Sequence, residues 1–262
     1  MRAERALRPP RVPVNEPPQP GAEDVTFPAA DGVLLRGWFR QGDNRATIIL
    51  AHGHGQNRTQ LLPEAKLLAE AGFSFLSFDW RAHGASGGEL VGWGSFEQKD
   101  LQGALDYLAG RDDVDPSRVG ALGFSRGGAL VIEVAARDSR LRAIVASAAT
   151  TSLREGIQND FGADALTTLV TRLVFSAHGI DVDGVKPIER IGAVSPRHVL
   201  IILGAADLST PVTMGRRLAS RAGAPGQYWE IPDAGHGGFA TTAPLEYGPR
   251  LIQFFRTALL ND

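Results

Sequence analysis

From Glu23 onward, short apolar runs alternate with amphipathic stretches. The runs predict strands over 33–39, 46–51, 73–79, 118–124, 141–146, 197–203 and 227–231. Thr47-Ile48-Ile49-Leu50 and Val199-Leu200-Ile201-Ile202-Leu203 lack any period-2 alternation, the mark of strands covered on both faces. Between the strands, apolar residues recur at three- and four-residue steps: Leu61, Leu62, Ala65, Leu68 and Ala69, then Phe96, Leu101, Ala104, Leu105 and Leu108, then Leu130, Val131, Val134 and Ala135. Two late helices are predicted over 211–221 and 244–259, with Pro211 suited to a first helical turn. Alternation of this kind predicts one α/β domain, a mostly parallel central sheet with helices on both faces, whose functional residues gather at the carboxyl ends of the strands.

Two segments break the alternation. Residues 1–22 carry Pro9, Pro10, Pro13, Pro17, Pro18 and Pro20 among arginines, with few large apolar groups. Such a stretch repays little of the entropy of ordering, so an extended or disordered arm is expected, a strap across the domain being the alternative. The folded domain then spans 23–262. Within it, 148–196 is too long for an ordinary connection and holds Leu166, Leu169, Val170, Leu173 and Val174 at helical spacing, an apolar stripe expected to pack on the domain.

Composition narrows the function classes. The 262 residues suit one large domain or two small ones. With 27 basic and 29 acidic side chains the net charge is −2, which leaves no polycationic surface, so no nucleic-acid partner is expected. The absence of cysteine excludes disulfides, thiolate metal sites, iron–sulfur clusters and a cysteine nucleophile. No run approaches the ~18 apolar residues of a membrane span and no secretory h-region is visible, so the expected location is cytoplasmic.

The chemistry centres on Gly123-Phe124-Ser125-Arg126-Gly127, which follows an apolar strand and opens a helical stretch. G-x-S-x-G between strand and helix is a nucleophile elbow: the turn lifts the serine Oγ off the sheet and aims a helix N-terminus at it. A serine needs a base, and His236, between glycines after the last strand, is the candidate; His178 and His198 read as surface or packing residues. Asp207, on the loop after the 197–203 strand, is the candidate acid to orient the imidazole, with Asp233 as its rival. Backbone N–H groups of Arg126 and of His54, in His52-Gly53-His54-Gly55, are candidate oxyanion-hole donors. The paired histidines lack a nearby carboxylate to complete a ligand set, so no metal is expected. Arg126 is expected to point sideways and meet a surface carboxylate, with selection of acidic leaving groups as the alternative.

These motifs, together with Asp79-Trp80-Arg81-Ala82-His83-Gly84-Ala85-Ser86, resemble the α/β-hydrolase superfamily, in its esterase, serine aminopeptidase and acyl-thioesterase-like branch. Ala82 stands where that family usually has glycine. The resemblance implies an α/β-hydrolase fold, the order Ser125, Asp207, His236 for the triad, no cofactor, and a cap inserted at 148–196. A small cap and an accessible site are expected, with Phe161, Phe175, Leu208 and Phe239 as wall residues. The expected reaction is hydrolysis of a small-molecule carboxylic ester of short to medium acyl chain through an acyl-enzyme on Ser125. Peptidase or thioesterase action by the same triad is the alternative, with Glu155, Asp160 and Asp164 as candidates to hold a substrate ammonium. A ligand-binding protein on a hydrolase scaffold is the reading from another class.

Overall fold

The structure, a computed structural model, describes residues 2–15 and 19–260; residues 1, 16–18 and 261–262, which the expected arm and domain bounds include, lie outside the described residues. Eight strands are present: β1 (Ala22–Pro28), β2 (Leu34–Arg40), β3 (Thr47–Ala51), β4 (Ser74–Phe78), β5 (Val119–Phe124), β6 (Leu141–Ser147), β7 (His198–Gly204) and β8 (Gln227–Ile231). They form one sheet in the order β1-β2-β4-β3-β5-β6-β7-β8. The β1/β2 and β2/β4 pairs are antiparallel and every other pair is parallel. This is the α/β-hydrolase fold. The seven expected strands are all found; β1 is additional, its inward face reduced to Val25 and Phe27 between exposed polar positions.

Helices cover both faces: α1 (Arg2–Leu7), α2 (Leu62–Glu70), α3 (Gln98–Ala109), α4 (Arg126–Ala135), α5 (Leu153–Phe161), α6 (Ala165–Ala177), α7 (Pro187–Arg190), α8 (Val212–Arg221), α9 (Phe239–Thr242) and α10 (Tyr247–Leu259). Helices α3, α4 and α8 bury Leu101, Leu105, Val131 and Leu218 on one side of the sheet. On the other side α2 and α10 bury Ala65, Leu68, Leu251 and Phe255. Among the described residues, no helix is long and apolar enough to cross a membrane.

The insertion at 148–196 holds α5 and α6, capped by Ser152 and Asp164, whose side chains accept from the Glu155 and Thr167 N–H groups. The expected stripe faces inward only in part, through Val174, which packs on the cluster around Trp93. Leu166, Leu169 and Leu173 are 71%, 54% and 61% exposed, whereas Thr171 and Phe175 are buried. One large ring decides the rotation: Phe175 enters a cluster around Trp93, 5.5 Å between centroids, and the i, i+4 pair Thr171/Phe175 turns the leucines outward.

The arm is not wholly extended. Helix α1 places Ala3 and Leu7 in that same cluster, with Val91, Trp93 and Phe175. Trp93 Nε1 donates to the Ala6 carbonyl at 3.1 Å, and the Val91 N–H donates to the Leu7 carbonyl at 2.9 Å. Arg11 then bonds the carbonyls of Ser86 and Gly88, and Asn57 Nδ2 donates to those of Val12 and Pro13. The few apolar side chains suffice because the cap supplies the other half of the core, so the described part of the arm is a strap. Truncating the fully buried Leu7 to Ala should weaken the strap by about 2–4 kcal/mol and raise amide exchange in α1 and α6 ahead of the sheet; unchanged exchange in α6 would mean that the strap does not support the cap.

Candidate active site

The elbow arises where β5 meets α4. Ser125 sits between them at φ 54°, ψ −115°, a region that L-residues rarely occupy. Its N–H donates to the Ser147 carbonyl at 2.7 Å, which ties the turn to β6. The flanking glycines are steric necessities. A Cβ on Gly123 would lie 2.2 Å from the Gly127 oxygen, and one on Gly127 would lie 2.0 Å from the Ala51 oxygen.

His236 and Asp207 arrive on the loops after β8 and β7. His236 Nε2 lies 3.0 Å from Ser125 Oγ, and Nδ1 lies 2.8 Å from Asp207 Oδ2. The other carboxylate oxygen, Oδ1, accepts from the Ser209 and Thr210 N–H groups, both at 2.8 Å. Asp207 is thus buried and fixed, whereas the imidazole is 30% exposed and reachable by substrate. The rival, Asp233, is an exposed turn residue at φ 60°. His178 meets Glu4 at 3.1 Å and His198 packs edge-on against Phe254, away from the elbow. The line Asp207–His236–Ser125 has the connectivity by which an imidazole removes a serine proton.

The loop after β3 is held by neutral histidines. The Trp80 N–H donates to His52 Nε2 at 3.1 Å, so the proton of His52 is on Nδ1, which meets the Gly53 carbonyl at 2.7 Å. His83 repeats the pattern: Gly55 N–H donates to Nε2 at 3.1 Å and Nδ1 faces the Arg81 carbonyl at 2.9 Å. With both ring nitrogens engaged, neither histidine is open to a metal. Burial pushes His52 and His83 below the ordinary imidazole range. It pushes His54 down to about 3, helped by the nearby Arg126 charge. Gln60 Oε1 accepts from the Gly53 N–H at 2.7 Å, a contribution from α2's approach that no motif announced. Asp79 is a support beneath this loop. Its carboxylate accepts from the Arg58 N–H at 2.7 Å and the Ala85 N–H at 2.8 Å. Ala82 adopts φ 59° here, which explains why its position favours glycine.

Arg126 turns sideways as expected and reaches Asp160, but from inside the protein. Its guanidinium lies 4.3 Å above the Trp93 ring and 3.8 Å from the carboxylate, with the side chain only 10% exposed. Glu155 is engaged by Arg217 at 2.8 Å and by Thr151 at 2.6 Å, and Asp164 caps α6.

Two cavities meet at Phe124 and His236. One, of about 260 Å³, contains Ser125, His54, Arg126, Thr150 and Asp160 in its wall. The other, of about 440 Å³, runs between α2, β5, β6 and the 236–241 segment. Phe239 lines the larger one. Three other wall assignments are corrected. Phe161 and Phe175 pack on Trp93 at 5.6 and 5.5 Å, because the cap needs them for its own core. Leu208 is 94% exposed, because the Asp207 turn that donates two N–H groups inward directs the next side chain outward. The sequence reading missed Gln56 and Gln60, which border both cavities.

The sequence profile of a family described as serine aminopeptidase, S33, matches residues 42–179. The uncharacterized protein YfhR of Escherichia coli (strain K12) is 31% identical over 247 residues, covering 91% of this chain and 82% of its own. An uncharacterized protein of Mycobacterium tuberculosis is 30% identical over 220 residues, covering 83% of this chain and 73% of its own. Among solved structures, an esterase from Pyrococcus furiosus superposes with a TM-score of 0.80 at 23% identity, over 96% of this chain and 99% of that one.

The depressed His54 sets a pH dependence. In the unfolded chain its imidazole takes up a proton near 6.5, whereas the folded state resists protonation down to about 3. Its stabilising contribution is therefore complete above about 6.5 and is lost as the pH falls toward 3. Between about pH 7 and about pH 5 the wild type should lose about 2 kcal/mol more than His54→Gln in urea titrations. Equal losses in the two proteins would remove His54 from this account.

Proposed function

The chain belongs to the α/β-hydrolase family described as serine aminopeptidase, S33, and from that premise we propose that it hydrolyses carboxylic esters of short to medium acyl chain through an acyl-enzyme on Ser125. The observation that carries the proposal is the unbroken hydrogen-bonded line from Asp207 through His236 to Ser125, at 2.8 and 3.0 Å. In the proposed reaction Ser125 Oγ attacks the acyl carbonyl carbon while His236 Nε2 takes the hydroxyl proton. Asp207 holds the imidazole in the tautomer that accepts at Nε2 and stabilises the imidazolium. The oxygen that gains negative charge is held by the Arg126 N–H, at the positive end of α4, and by the His54 N–H. His236 returns the proton to the departing alcohol. Water then attacks the acyl-enzyme with His236 as base and releases the acid.

Charge favours an ester over an N-terminal peptide substrate. A site that trims N-termini needs a carboxylate to receive the ammonium. Glu155 is bound to Arg217, Asp164 caps a helix, Asp160 faces the Arg126 cation, and Glu64, in the larger cavity, is buried and accepts from the Tyr247 hydroxyl. The two cavities, about 260 and 440 Å³, suit small acyl and alcohol groups. The exposed His236 supports an accessible site.

Nitrophenyl esters of rising acyl length, assayed beside aminoacyl nitroanilides and acyl thioesters, test the assignment; ester turnover should dominate, and its absence would refute it. Ser125→Ala should lose roughly 10⁴-fold in kcat and cease to label with a fluorophosphonate. Asp207→Asn should lose roughly 10³- to 10⁴-fold because the imidazole tautomer is no longer fixed.

A further inference from the structure

We propose that the larger cavity is a recognition subsite for a hydroxyl group on the substrate, with Glu64, Tyr247 and Ser147 as its polar contacts. That the hydroxyl belongs to a substrate rests on the hydrolase assignment; the subsite itself rests on the groups lining the cavity. That cavity, about 440 Å³, shares Phe124 and His236 with the pocket holding Ser125, so it continues the site rather than lying apart from it. Leu61, Leu122 and Phe239 give it apolar walls.

Three buried polar side chains interrupt those walls, and they are poorly accounted for by packing alone. Glu64, in the first turn of α2, is 9% exposed, and no Lys, Arg or His among the described residues lies within ion-pair distance of it. Its Oε1 accepts from the Tyr247 hydroxyl at 3.0 Å, and Tyr247 is itself 1% exposed. Ser147, also 1% exposed, has a buried Oγ with no hydrogen-bond partner. A buried hydroxyl left unpartnered carries an uncompensated desolvation cost, and a carboxyl without a cation is expensive in the same way. Apolar side chains of similar size would satisfy a purely structural wall at lower cost. The same Ser147 receives the Ser125 N–H on its carbonyl, so the unpartnered hydroxyl sits on the residue that braces the nucleophile.

The chemistry of the three groups selects a hydroxyl. Glu64 and the Tyr247 oxygen offer acceptors, and Ser147 Oγ can both donate and accept, which matches a partner that does both. Burial raises the Glu64 carboxyl above its ordinary range and the Tyr247 phenol well above its own, so the subsite favours neutral partners. An ammonium would have to give up its hydration while holding a buried Glu64 ionised, a desolvation that a neutral hydroxyl avoids.

Binding of hexanol, hexanediol and aminohexanol to the whole protein, followed by ligand-observed NMR titration, tests this without requiring turnover. Hexanediol should bind about fivefold to tenfold more tightly than hexanol. The advantage should vanish in Ser147→Ala and in Glu64→Leu, either of which suffices should the other fail to fold. Equal binding of diol and alkanol, survival of the advantage in the folded variants, or tighter binding of aminohexanol would each overturn the subsite. Ester turnover by the wild type reads the hydrolase assignment separately. Turnover without a diol advantage removes the subsite alone, and a diol advantage without turnover removes the hydrolase assignment alone.

Discussion

The site depends on how closely the start of α4 is pressed against β3. Only hydrogen at the Gly127 α-carbon permits that approach, since a methyl group would stand 2.0 Å from the Ala51 oxygen. The approach forces the chain to reverse within one residue, and Ser125 absorbs the reversal in a conformation that costs about 1–3 kcal/mol. Pairing of β5 with both β3 and β6 holds the strand end in place, and α4 is buried from Gly127 to Ala135. The strain is therefore borne by an enclosed strand and helix, while the serine they present remains reachable. Both cavities, the histidine line and the head of the helix take their positions from this contact.

Around the elbow, rigidity comes from buried polar groups that spend their hydrogen bonds on backbone. His52, His83 and Asp79 join the loop after β3 to the loop after β4, and Gln60 adds a bond from the approach to α2. Further out, Arg81 grips Asp100 and Asp31 together, each at 2.7 Å, and connects α3 to the turn between β1 and β2. Neutral imidazoles suit this task because each offers one donor and one acceptor in a fixed plane, without the penalty of a buried charge. His236 differs from them in solvent access and in having a carboxylate behind it.

Much of this arrangement was legible in the chain because it is local or ordered. Continuous apolar runs disclose strands covered on both faces, and the glycines around Ser125 and His236 disclose tight loops at strand ends. Side-chain direction in the cap was not legible. Spacing identifies α6 as a helix with an apolar stripe, but which face turns inward depends on Phe175, Trp93 and α1, elements separated in sequence and brought together only by folding. The same long-range cluster withdrew Phe161 and Phe175 from the pocket and gave the proline-rich arm a place to bind. Strand β1 escaped because two inward residues between polar neighbours carry little periodic signal. Glu64, Tyr247 and Ser147 come from α2, α10 and β6, and nothing in their local sequence ties them to one cavity.

The sequence distance within the proton line has a bearing on synthesis. Ser125 and His236 are 111 residues apart, and the loop bearing His236 follows β8, the last strand in the chain. At roughly 5–20 residues per second, a ribosome delivers the imidazole on the order of ten seconds after the serine. A nascent chain that has emerged only through α4 holds the Ser125 hydroxyl without the imidazole that pairs with it. In the proposed reaction the nucleophile and its base therefore come together only once the whole sheet has been translated.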